Sequence, residues 1–200
     1  MGNPESPMTQ PRTTPVFAML LALTAILLVV LPFVSTFDDL LTVIGMKLGI
    51  AAPLQWIVPA EVRVTVVMLG LLGIHAGAAG NQLVVWNSSG APQTLFISWN
   101  CVGWQSLILL GLSLMVGLRG PMPLSTRFEV IALGVLGTVL VNIARITVVC
   151  LLAALAGYLP AVLFHDYGGT LLIVGWLFAF WVLVYRWLAP DPAFALVPRP

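Results

Sequence analysis

Apolar residues run with little interruption from Val16 to Val34, a stretch long enough to cross a hydrocarbon core of about 30 Å. Arg12 precedes this run, as in a secretory signal. The run is longer than a signal-peptide core, and no small-x-small cleavage site follows, so it reads as a retained anchor. Phe37 to Pro59 is ambiguous. Asp38 and Asp39 open it, Lys47 sits in its middle, and Pro53 and Pro59 break it. That pattern fits a poor crossing or an amphipathic helix along the surface. Glu61 to about Ala78 predicts a further helix, ending in small residues before Gly80.

The pattern changes between Asn81 and Asn100. Leu83-Val84-Val85-Trp86 and Thr94-Leu95-Phe96-Ile97 are β-prone, and the turn residues Asn87-Ser88-Ser89-Gly90-Ala91-Pro92 separate them. This predicts a β-hairpin outside the hydrocarbon, because open sheet edges do not face lipid. Three more apolar segments follow: Cys101 to Leu118, Glu129 to about Ala156, and His165 to Trp187. The loops between them are Arg119 to Arg127 and Gly157 to Phe164. Pro4, Pro7, Pro11 and Pro15 lie among polar residues, which marks 1–15 as a disordered tail, and the proline-bearing residues 189–200 form a second tail. The expected architecture is an all-α polytopic membrane bundle of about five or six segments over 16–188, with a small extracytoplasmic hairpin.

Composition supports the same solvent. Of the 200 residues 60% are hydrophobic and 8% charged, against about 25% charged in a soluble domain. A net charge of +1 gives no electrostatic footprint for nucleic acid. The cysteines are Cys101 and Cys150, and the histidines His75 and His165. They are too few for a disulfide framework, they have no metal-ligand spacing, and no cofactor is implied.

Charge placement then sets orientation. Arg119, Arg127 and Arg186 fall on one side if the last three segments each cross once, and the positive-inside rule makes that side cytoplasmic. The hairpin and the start of the last segment then face outward. Arg145 follows Arg127 by 18 residues, which is about 27 Å of helix and brings it near the outer edge of the core. Cys101 and His165 each open a segment at that same level. Asn142 shares a helix face with Arg145. An arginine within a span costs at least about 2.5–3.5 kcal/mol near the bilayer centre and usually faces a partner or a wet cavity. The plainer alternative is that Arg145 snorkels to the headgroups.

These residues permit thiol chemistry. The thiolate of Cys101 is favoured at a helix start or beside a cation. His165 can serve as general base and then as general acid. Arg145 can activate the thiolate or hold a developing oxyanion, and the sequence leaves both roles open. Cys101 could pair with Cys150 in an oxidising compartment, but a turn of about 140° along the helix separates Cys150 from Arg145, which argues against that bridge and predicts a packing role for Cys150. His75 reads as structural, and Asp38, Asp39 and Glu61 as interfacial charges.

Three segments, in order and spacing, resemble the exosortase/archaeosortase family of membrane transpeptidases. They are Asn100-Cys101-Val102-Gly103-Trp104-Gln105-Ser106, Val141-Asn142-Ile143-Ala144-Arg145-Ile146 and Phe164-His165-Asp166-Tyr167-Gly168-Gly169. They are similar to the family's cysteine motif, its Asn-x-x-Arg-Ile motif and its His-x-x-Gly motif. The likeness covers roughly 62–188 and departs at Val102, where many relatives carry Ser or Ala. It implies a catalytic set of Cys101, Arg145 and His165, with Asn142, Gly103 and Gly168 in support. It also implies cleavage of a carboxy-terminal sorting signal on secreted proteins, made of a short motif, a hydrophobic helix and a basic cluster. The acyl-enzyme would pass to an acceptor or to water. The expected setting is the cell membrane, with lipids and secreted substrate proteins as partners. The alternative is a small transporter or assembly factor that uses Arg145 and Asn142 to bind an anionic solute or a partner helix. That reading gains if Cys101 and His165 lie far apart.

Overall fold

A computed structural model describes residues 15–87, 90–120 and 122–188. The tails expected over 1–15 and 189–200 lie outside the described residues, except Pro15. The chain forms α1 (Pro15–Lys47), α2 (Ala51–Gln55), α3 (Val58–Leu71), β1 (Ala76–Ala79), β2 (Gln82–Trp86), β3 (Pro92–Phe96), α4 (Trp104–Gly117), α5 (Leu124–Leu155), α6 (Tyr158–Leu163) and α7 (Gly169–Leu183). Among the described residues, four helical stretches are long and apolar enough to cross a membrane: Ala51–Leu71, Trp99–Gly117, Leu124–Leu155 and Tyr158–Arg186. The chain is a helical membrane protein with a small antiparallel sheet. The apolar run expected to form the first span lies in the first half of α1.

The ambiguous segment 37–59 is resolved into two pieces. Residues 37–47 continue α1 without a break, and Pro53 lies inside the short α2. The helix expected to reach Ala78 stops at Leu71. Gly73 takes a left-handed φ of 79°, and Ala76–Ala79 leaves as a strand. Alanine and glycine at those positions read as a helix end but serve as a strand here, because β2 pairs with them along one side. The hairpin is therefore one half of a three-stranded sheet in the order β1-β2-β3. The β2–β3 pairing was legible, with Leu83 opposite Leu95 and Val84 opposite Thr94.

Two boundaries near the polar residues also differ. Cys101 does not open a helix. It lies in a single 3-10 turn, Trp99–Val102, and α4 begins only after Gly103 turns the chain with φ 79°. The loop expected over 157–164 is mostly α6, which runs into a π turn at Phe164–Gly168 and then into α7. His165 therefore interrupts a continuous helical run rather than starting one.

Packing divides along α5. One cluster gathers Val58, Val62 and Leu69 of α3, Leu83 and Val85 of β2, and Ile146, Cys150, Ala153 and Ala154 of α5. The other, toward the start of α5, gathers Leu110 of α4, Val130 of α5, Phe180 of α7 and Val184 just after it. Glycines shape the second cluster. A Cβ at Gly137 would stand 2.0 Å from the Trp176 ring, and one at Gly117 2.0 Å from Trp181. Close approach through small residues is how helices gain contact in lipid, where no hydrophobic force drives them together.

Candidate active site

The cysteine turn is held from three directions. From α1, Thr42 Oγ1 donates to Asn100 Oδ1 at 3.2 Å. Gln105 Nε2 donates to the same oxygen at 2.6 Å, and Trp104 Nε1 at 3.3 Å. Gly45 of α1 lets the stacked pair Trp99 and Trp104 lie close, with a hypothetical Cβ only 3.1 Å from Trp104. From α2, Gln55 Oε1 accepts the Trp99 backbone N–H at 3.0 Å. From α5, Asn142 Nδ2 donates to the Cys101 carbonyl at 2.8 Å and to Glu61 Oε1 at 3.2 Å. Asn142 is 1% exposed and Glu61 9%. Glu61 is thus a buried partner of the site's framework and not an interfacial charge. A buried polar group left unpaired is costly, so this chain fixes the turn firmly.

Gly103 meets two requirements at once. Its φ of 79° is left-handed, and a Cβ would stand 2.7 Å from Asn142 Cγ. Only glycine satisfies both without strain. Gly168 admits a close approach of the Phe164 ring, which a Cβ there would overlap. The neighbouring Gly169 is the residue that makes room at the site, since a Cβ there would stand 2.2 Å from Arg145 Nε.

Cys101, Arg145 and His165 line one cavity of about 410 Å³, along with Thr94 to Ile97, Ile146, Val149, Cys150, Tyr158, Ala161 and Val162. Arg145 Nη2 donates to the His165 carbonyl at 3.2 Å, so the guanidinium ties α5 to the π turn. The Cys101 thiol and the His165 ring face the same cavity and lie close enough to influence each other electrostatically. Ser98 Oγ approaches Cys101 Sγ at 3.7 Å. The separation on which the transporter reading depended is absent. Asn142, committed to Cys101 and Glu61, has no N–H left for an anion in the cavity.

Cys150 corrects the helical-wheel argument. It lines the same cavity as Arg145, because the cavity wraps around α5 through Ile146 and Val149. Both cysteines are free thiols. Among the described residues no cluster of His, Cys, Asp or Glu could hold a metal.

Sequence reasoning missed two groups. His165 Nδ1 lies 3.0 Å from Asp166 Oδ1. Adjacent residues on a regular α-helix do not face each other, whereas these two, both in the π turn, do meet. With Nδ1 engaged by Asp166, Nε2 is the ring nitrogen left for the thiol. Asp38, half-buried on α1, lies within electrostatic reach of Arg145 and His165. Its companion Asp39 is exposed.

A family model described as transmembrane exosortase matches residues 7–182. The chain belongs to the transmembrane exosortase family. Comparison with curated proteins and with solved structures gives no match. The family match reaches well N-terminal of residue 62, where the resemblance in the sequence began. It includes α1, whose Thr42 and Gly45 hold the cysteine turn of this exosortase.

Proposed function

We propose that this membrane exosortase is a cysteine peptidase or transpeptidase that cleaves a carboxy-terminal sorting signal of secreted proteins, with Cys101 as nucleophile. The observation that carries the reading is the meeting of Cys101, Arg145 and His165 in one cavity from three separate helical elements. His165 Nε2 takes the thiol proton, and Cys101 Sγ attacks the carbonyl carbon of the scissile peptide bond. Arg145 is the cation available to the negative charge, first on the thiolate and then on the tetrahedral oxygen. As the C–N bond breaks, imidazolium returns the proton to the leaving amine, and a thioester remains on Cys101. Water or an acceptor amine then attacks the thioester, His165 accepts the attacker's proton, and the thiol is restored. Asp166 holds the imidazole ring in register throughout, and Asn142 fixes the carbonyl of the nucleophile's own residue. The positive-inside count over Arg119, Arg127 and Arg186 supports a site facing away from the cytoplasm, in the cell membrane. The hydrophobic helix of the signal would approach laterally through lipid.

Co-expression of the Cys101→Ala variant with a secreted protein that ends in such a signal tests this. Processing, read by the mass of the mature product, is expected to fall by about 10³-fold or more. Unchanged processing removes Cys101 as nucleophile.

A further inference from the structure

The sheet has an edge that the described residues leave open. In the order β1-β2-β3, β3 has one neighbour. The Ile97 N–H bonds the Asn81 carbonyl and the Asn87 N–H bonds the Ala91 carbonyl. Antiparallel ladders alternate, so Ala91, Gln93, Leu95 and Ile97 turn their backbone groups toward β2. The N–H and C=O of Thr94 and Phe96 therefore point away from it, in the register that pairs them with Val84 and Gln82. No hydrogen bond from another described residue reaches those groups. Thr94 is exposed, and Phe96 is 66% exposed. Proteins usually blunt such an edge with charge, proline or a bulge. Here Pro92 blocks the far end only, and the stretch nearest the cysteine turn carries no such device.

This open stretch is a wall of the reactive cavity. Thr94 to Ile97 line it along with Cys101, Arg145 and His165. From Phe96 the chain passes through Ile97 and Ser98 directly into the cysteine turn. An extended peptide laid along β3 at about 3.3 Å per residue leads its next peptide bonds toward Cys101. The chemistry offered by the edge, alternating N–H and C=O in an extended frame, is complementary to another extended backbone and to little else.

We propose that the outer edge of β3 binds the substrate by strand addition, pairing Thr94 and Phe96 with an extended segment next to the scissile bond. This rests on the peptidase reading and adds how the peptide is held. Main-chain pairing supplies affinity that tolerates sequence variation. Every second side chain of the segment faces the cavity wall at Val149, Tyr158 and Val162, which favours apolar residues there.

Disulfide trapping tests the edge apart from the chemistry. The probe is a full-length secreted protein with a sorting signal, carrying single cysteines scanned through the ten residues before its hydrophobic helix. The partner is the full chain bearing Phe96→Cys with Cys101→Ala and Cys150→Ala. An added strand is expected to cross-link at alternate positions, by at least about fivefold over the intervening ones. A repeat of three to four residues, no cross-link at any position, or a homodimer through Phe96→Cys without substrate overturns the proposal. In an otherwise native chain, Thr94→Pro removes an outward N–H and no ladder bond, and is expected to lower processing about tenfold. Unchanged processing by Thr94→Pro counts against the edge. If the native chain and Cys101→Ala process the probe alike, the peptidase reading fails, and the trapping pattern still reports whether the edge binds it.

Discussion

The two ends of α5 are built by different means. Around Leu110, Val130 and Phe180 the helices meet through shape: aromatic rings drop onto glycines, and one side-chain hydrogen bond, Trp176 Nε1 to Thr138 Oγ1 at 3.0 Å, ties α7 to α5. Around Cys101 they meet through polar chains that run from Thr42 to Asn100 and Gln105, and from Glu61 through Asn142 to the cysteine carbonyl. The first kind of packing gives rigidity and tolerates no added bulk. The second kind fixes a reactive turn, because each polar group in it is costly to leave unpaired. The comparison assigns stability to one end and positioning to the other, and it can be broken by substitutions that move the wrong readout.

The largest effect is expected at Arg145. Arg145→Ala should lower processing of a co-expressed substrate by about 10²–10³-fold, as when a single oxyanion donor is lost. Retained processing would remove the guanidinium from the chemistry. At the opposite end, Gly137→Ala should cost about 1–3 kcal/mol of stability, because the new methyl overlaps Trp176. Thermal unfolding in detergent should report that loss, while turnover per folded molecule stays unchanged. A fall in turnover instead would mean the two ends are not separable. Asn142→Ala strands the Cys101 carbonyl and should cost about 1–3 kcal/mol. Here turnover should fall further than stability alone explains, in an assay normalised to folded protein. The smallest effect is expected for Thr138→Val, which leaves Trp176 Nε1 without its partner, at about 0.5–1.5 kcal/mol in the same unfolding measurement and no change in turnover.

The polar end was also the harder one to read. Cys101, Arg145 and His165 were singled out by depth along their segments, and each lines the cavity. Their local settings were not legible. Cys101 sits in a 3-10 turn because Gly103 turns the chain before α4, and a lone glycine two residues after a cysteine does not announce that geometry. Asp166 looked like an ordinary neighbour of His165, since adjacency along the chain does not by itself announce a contact between side chains. Glu61 looked like a surface charge, because its partner Asn142 lies 81 residues away. The segment 37–47, ambiguous by hydropathy, holds the cysteine turn through Thr42 and Gly45, and no periodicity signals that role.

What the sequence determined by itself was the solvent, the long helices, the β2–β3 pairing and the approximate level of the reactive residues. Each follows from local apolar runs, turn chemistry and helix rise, quantities that add along the chain. What only the tertiary structure decided was which polar atoms meet. The Asn142 link to Cys101 and Glu61, the shared cavity of Cys101, Arg145 and His165 and the open edge of β3 beside them depend on how separate elements pack. Those meetings are set by crossing geometry and by side chains at glycine sockets, which no single segment encodes.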